Sequence, residues 1–177
     1  RDILLLKYHA DGTEIWGKSL GSTGWDYGLG ITTDSNDNVY VTGRFKGQLT
    51  INGTSPQPPI DTLGGSDIFV LKYETDGTFG WIKNLGGPDD WDVGVDIATD
   101  SNDNVYVVGY FNNTNTDSNG LLFNGEYMTT NGNRDILLLK YHADGTEIWG
   151  TNIGGTGNDY GTHIVTDSSD NVYMVAT

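Results

Sequence analysis

Apolar residues in this chain fall in short runs, some alternating with polar residues and some continuous. Clusters of Gly, Asp, Asn and Ser separate them. Runs of that length, rich in Val, Ile, Tyr and Trp and bounded by turn formers, read as strands, and no stretch combines helical spacing with capping signals. Asp11-Gly12, Asp76-Gly77 and Asp144-Gly145 sit between two such runs, the usual chemistry of a tight hairpin that needs positive φ. The pattern therefore predicts an all-β chain.

The runs repeat. Arg1–Gly17, RDILLLKYHADGTEIWG, recurs letter for letter at Arg134–Gly150, and a looser copy, DIFVLKYETDGTFGW, begins at Asp67. In that frame Trp16, Trp81 and Trp149 align, as do Asp26, Asp92 and Asp159. The tetrapeptide NVYV at Asn38 returns at Asn104, and as NVYM at Asn171. Each repeat resolves into four strand signals. A is Gly28–Thr33, Gly94–Thr99 and Gly161–Thr166; B is Asn38–Gly43, Asn104–Gly109 and Asn171–Ala176. C is Asp2–Tyr8, Asp67–Tyr73 and Asp135–Tyr141; D is Thr13–Leu20, Thr78–Leu85 and Thr146–Ile153. A four-stranded antiparallel meander repeated along a chain predicts a β-propeller, with strand A innermost in each blade.

The pattern DIFVLKY…DGT…W…LGG…D…G…I…D…NVYVVGYF, read from Asp67 to Phe111, resembles the SBBP-type β-propeller repeats of large bacterial secreted and surface proteins. The resemblance implies a propeller architecture and an extracellular or cell-surface setting, and it implies no ligand. One departure stands out: the family's A–B turn usually carries Gly before the Asn, where this chain has Asp37, Asp103 and Asp170.

Along the chain the order is C-D, A-B-C-D, A-B-C-D, A-B. That is three blades' worth of strands in one segment, 1–177, with repeats beginning near residues 2, 67 and 135 and one blade split between the two ends. Open strand edges promote pairing with other chains. The expectation is that Asn171–Ala176 pairs antiparallel with Asp2–Tyr8, either of another copy or of flanking sequence in a longer polypeptide.

Composition narrows the function. A net charge of −15, with nine Lys and Arg, excludes a phosphate-binding footprint and so a nucleic-acid partner. The longest aliphatic run, Ile3–Leu6, is far too short to insert into a membrane. There is no cysteine, hence no thiolate metal site or Cys nucleophile. His9, His142 and His163 lack zinc spacing, and no GxSxG or Walker motif is present. The reading is non-catalytic, with no resident cofactor.

Positions that vary between copies are candidates for local function, whereas constant ones carry architecture. In the D–A loops Asp26, Asp92 and Asp159 are constant, but Trp25 and Trp91 face Asn158, and Asp89 and Asp90 have no counterpart. An exposed Trp beside acids can stack on a sugar or a cation. Asp89, Asp90 and Asp92 lie close enough in sequence to suggest a Ca²⁺ site. Strand alternation puts the D–A loops on one face with the long B–C segments, Arg44–Ser66 and Tyr110–Asn133. The expected role is a scaffold or protein-interaction module of a larger secreted or cell-surface protein. The alternative is a lectin-like propeller, calcium-assisted, using Trp25, Asp89, Asp90, Trp91, Asp92 and Asn158 on that loop face to bind a glycan.

Overall fold

The computed structural model describes residues 1–52, 60–87, 91–112 and 121–177. Among them the chain forms sixteen strands and no helix. In order these are β1 (Ile3–Tyr8), β2 (Glu14–Gly21), β3 (Tyr27–Thr33), β4 (Val39–Phe45), β5 (Gln48–Asn52), β6 (Ile60–Asp61), β7 (Asp67–Tyr73) and β8 (Phe79–Leu85). They continue as β9 (Val93–Thr99), β10 (Val105–Phe111), β11 (Leu121–Phe123), β12 (Glu126–Met128), β13 (Asp135–Tyr141), β14 (Glu147–Ile153), β15 (Gly161–Thr166) and β16 (Val172–Ala176). Two complete antiparallel blades, β3-β4-β7-β8 and β9-β10-β13-β14, follow the order A-B-C-D. Outside these blades, β1–β2 is a C-D hairpin extended by β5 and β6, and β15–β16 is an A-B hairpin.

The turns explain the hairpins. At the first C–D turn the Gly12 N–H donates to the His9 carbonyl at 2.9 Å, so Ala10 and Asp11 are the central residues and Gly12 takes φ +88°. Asp11 locks the turn by accepting the Thr13 N–H at 2.9 Å. Gly77 and Gly145 repeat this at φ +83° and +84°. A side chain there would be strained, because Cβ crowds the backbone in the left-handed region.

Strand A is innermost, as expected. β3, β9 and β15 lie side by side, one per blade: Thr99 Oγ1 donates to the Thr33 carbonyl at 2.8 Å, and Thr166 Oγ1 to the Thr99 carbonyl at 2.6 Å. The central strands β4, β7, β10 and β13 are buried on both faces because each lies in a blade packed between neighbours. The core is accordingly divided among the inter-blade gaps. Ile3, Leu5, Val41, Phe69 and Leu71 fill the first, Tyr40, Val70, Val107, Leu137 and Tyr141 the second, and Tyr106, Val108, Ile136 and Ile164 the third.

The B–C segments, read from sequence as long loops, carry short strands of their own. β5 extends the first sheet beyond β2, with Leu20 opposite Ile51 and Gly21 opposite Thr50. β11 and β12 close into a hairpin through Asn124-Gly125, at φ +49° and +78°. Both pieces send apolar side chains into the inter-blade cores: Leu49 in one, and Leu121, Phe123 and Met128 in the other. Burying that apolar surface between the blades anchors these segments.

Candidate functional site at the D–A loop face

The constant Asp of each D–A loop is a clamp. Asp26 is buried and accepts the Ser22 N–H at 2.7 Å, the Ser22 hydroxyl at 2.6 Å and the Lys46 N–H at 3.2 Å. Asp92, also buried, accepts the Gly87 N–H at 2.9 Å and the Asn112 N–H at 3.0 Å. Asp159 accepts the Gly155 N–H at 2.9 Å. The backbone N–H of each donates in turn to the residue that precedes strand C, namely Arg1, Ser66 or Arg134, at 3.0, 2.9 and 2.9 Å.

That clamp holds the Asp inward and leaves the residue before it outside. Trp25 is 67% exposed and Trp91 43% exposed. The two loops bring these tryptophans to a single open pocket of about 340 Å³, lined also by Gly24, Arg44, Lys46 and Ser66. The Arg44 guanidinium lies 4.4 Å from the centre of the Trp91 ring and 4.5 Å from that of Tyr27. A planar cation between aromatic faces is held by ring electrostatics and stacking. Arg44 was not singled out from sequence. The signal was there, since it stands where the next copy has Tyr110 and so fails the test of constancy.

Asn158 does not join this pocket. It forms a parallel bridge to Arg134 at the third D–A junction, where Arg134 Nη1 donates to the Tyr160 hydroxyl at 2.9 Å and Tyr110 meets Tyr160 edge-on at 4.8 Å. Of the acids expected to hold Ca²⁺, Asp92 is turned inward and engaged by two backbone N–H groups. Asp89 and Asp90 lie outside the described residues. Among the described residues no three His, Cys, Asp or Glu side chains gather as a metal-binding set.

The opposite ends of the blades carry a different acid network. Asp34 accepts the N–H groups of Asn36 and Asn38, the Asn38 side-chain amide and the Tyr40 hydroxyl, all at 2.9 Å. Burial pushes the Asp34 carboxyl up, but these hydrogen bonds, led by those of Asn38, outweigh it and hold it below the ordinary Asp value; Asp100 behaves likewise. Asp67, at the start of β7, is pushed the other way, because burial outweighs its hydrogen bonds, led by that from the Leu63 N–H. These acids build turns and strand ends. Among the described residues the pocket itself is lined by aromatic, cationic and small side chains, with neither a carboxylate nor a histidine on its wall. Ring faces and cations of this kind can be contacted by stacking and by charge.

Comparison with known proteins agrees with the architecture. Residues 80–117, which run from strand D of one blade into the next, match the SBBP beta-propeller repeat. An uncharacterized WD repeat-containing protein of Acanthamoeba polyphaga mimivirus is 26% identical over 185 residues, covering 93% of this chain and 13% of that protein. The regulatory protein FlaEY of Caulobacter vibrioides is 30% identical over 108 residues, covering 61% of this chain and 11% of its own length. The chain thus spans a small part of both relatives.

Proposed function

We propose that this propeller segment is a non-catalytic scaffold that docks a partner protein on its D–A loop face, as one part of a larger secreted or cell-surface protein. The observation that carries the reading is that Trp25 and Trp91, from consecutive loops, line one pocket with Arg44, whose guanidinium lies over the Trp91 ring. Tyr, Trp and Arg dominate binding energy at protein interfaces, because they bury large areas at low entropic cost. Arg44 and Lys46 also make this pocket locally cationic on a chain of net charge −15, which favours a partner segment bearing a carboxylate. The length of the relatives supports membership in a larger protein, and the resemblance of the repeat supports the secreted or surface setting.

The test compares partner capture by the parent chain and by the Trp25→Ala/Trp91→Ala variant, followed by calorimetry with the purified partner for each substitution alone. Each substitution is expected to weaken binding about tenfold or more, the scale of an interface hot spot. Unchanged affinity in both single variants would reject the pocket as the docking site. Binding on a glycan array that the same substitutions abolish would instead make the ligand a sugar.

A further inference from the structure

We propose that Arg44 is a carboxylate anchor, and that the D–A pocket takes an acidic residue of a partner protein together with an adjacent aromatic one. The carboxylate sits on the edge of the Arg44 guanidinium and the neighbouring ring on Trp25. The inference rests on the reading of this pocket as the docking site, and it names the chemistry that fills it.

The chain holds 24 Asp and Glu against nine Lys and Arg, and several of those cations find acceptors within it. Lys72 Nζ lies 3.2 Å from Glu74, and Lys140 Nζ 3.5 Å from Asp100. Lys7 donates to the Thr75 carbonyl at 2.7 Å, and Arg134 to the Tyr160 hydroxyl at 2.9 Å. Arg44 differs. It is half-buried, yet no oxygen among the described residues accepts a hydrogen bond from its guanidinium. Rings hold it instead, Trp91 at 4.4 Å and Tyr27 at 4.5 Å. A stacked guanidinium keeps its N–H donors in its own plane, directed out along the edge, and is restrained before any ligand arrives. That fork matches the two oxygens of a carboxylate.

The surroundings favour the same ligand. Lys46 lines the opening, and Arg1 lies over the Tyr27 ring at 4.9 Å, so further positive charge stands beside the fork. The constant acids of the two loops, Asp26 and Asp92, are buried and engaged by backbone N–H groups. The next junction lacks the arrangement: Tyr110 takes the place of Arg44, Asn158 that of Trp91, and Arg134, in the place of Ser66, is tied to Tyr160. An open arginine fork and two tryptophans thus occur together at one junction. The pocket's volume of about 340 Å³ is close to the lower bound of about 300 Å³ for ligand pockets, so it admits one or two side chains rather than a whole strand. Trp25, 67% exposed, offers its ring to the second of them.

The probes are two capped peptides, acetyl-Gly-Glu-Phe-Gly-amide and its counterpart with Gln for Glu. Nitrogen–proton NMR on the intact chain follows the Arg44 Nε–H and the indole N–H groups of Trp25 and Trp91. The Glu peptide should shift all three signals and bind about tenfold more tightly than the Gln peptide, the weight of hydrogen bonds between charged groups. Arg44→Lys keeps the charge but not the fork and should lose most of that preference, and Arg44→Gln should lose all of it. Thermal melting confirms the fold of both variants. A Glu preference that persists in either variant would overturn the proposal, as would the absence of any shift with either peptide at ~10 mM. Displacement of the Glu peptide by digalacturonate at a lower concentration than the peptide's own would overturn it in favour of an acidic sugar. If both peptides bind alike and Trp25→Ala/Trp91→Ala abolishes both, the docking reading stands and the carboxylate anchor falls.

Discussion

The ring of Trp81 lies against the backbone of Gly145 in the next blade, so close that a Cβ on that glycine would sit 2.9 Å from the indole. Trp16 and Gly77 repeat the contact at 3.0 Å. The glycine thus has two duties: it takes the positive φ of the C–D turn and it admits the tryptophan that seals the inter-blade gap. Here one constant residue per repeat is explained by its neighbour rather than by its own turn alone.

Gly145→Ala should therefore cost more than turn strain. The left-handed conformation accounts for roughly 1–2 kcal/mol and overpacking against Trp81 for roughly 1–3 kcal/mol more. Gly125, at φ +78° with nothing within 4 Å of where a Cβ would sit, supplies the comparison. Gly125→Ala should show the strain alone. Urea denaturation of both variants checks this, and equal losses would show that the indole gives way freely.

The Asp in the A–B turn predicts a different order of effects. Asp103 sits at φ +61° and also accepts two bonds from Ser35 and one from the Asn36 amide. Asp103→Gly should relieve the strain and lose the bonds, whereas Asp103→Ala loses the bonds and keeps the strain. Alanine is expected to be the worse replacement by about 1 kcal/mol, the ordinary cost of a left-handed non-glycine residue. Thermal melting of the three proteins measures it. Aspartate at this left-handed position ties one blade to the previous one through its carboxylate.

Stability should pass through a maximum in mild acid. Asp67 is held above the ordinary Asp value of 3.8, so its folded form retains a proton more tightly than the unfolded chain. Stability from this group is gained as pH falls toward 3.8, and relief of the −15 net charge acts in the same direction. Asp34, Asp100 and Asp167 are held below 3.8, Asp167 at about 2 by the Asn171 amide and neighbouring N–H groups. Their contribution is present above 3.8 and is lost as pH falls from there toward about 2. Melting temperature against pH should rise from neutrality toward about 4 and then fall. Asp67→Asn should flatten the rise, and Asp34→Asn with Asp100→Asn should flatten the fall. A monotonic profile unaltered by these variants would contradict the assignment.

Local information sufficed for the strands and turns. Arg1–Gly17 and Arg134–Gly150 are identical and fold into the same hairpin, with the same ladder irregularity between Lys7 and Tyr8 and between Lys140 and Tyr141. Backbone φ at Gly12 and Gly145, and the alternation of side chains along each strand, depend on nearest neighbours in the chain, which is why they were legible. The Asn124-Gly125 hairpin carries the same kind of local signal, inside a segment whose length and composition read as loop. β5 was less legible, because it is held as a strand between β2 and β6. The candidate site divides the same way. Trp25 and Trp91 stood out as variable positions in a repeat, but their meeting in one pocket with Arg44 needed the packing of consecutive blades. Burial shows the division most plainly: Leu4 and Leu137 share one sequence context and one strand geometry, yet one is 67% exposed and the other 1%. A strand's conformation is set by its own residues and their turns, whereas burial is set by whatever sheet lies across from it, which only the assembled blades decide.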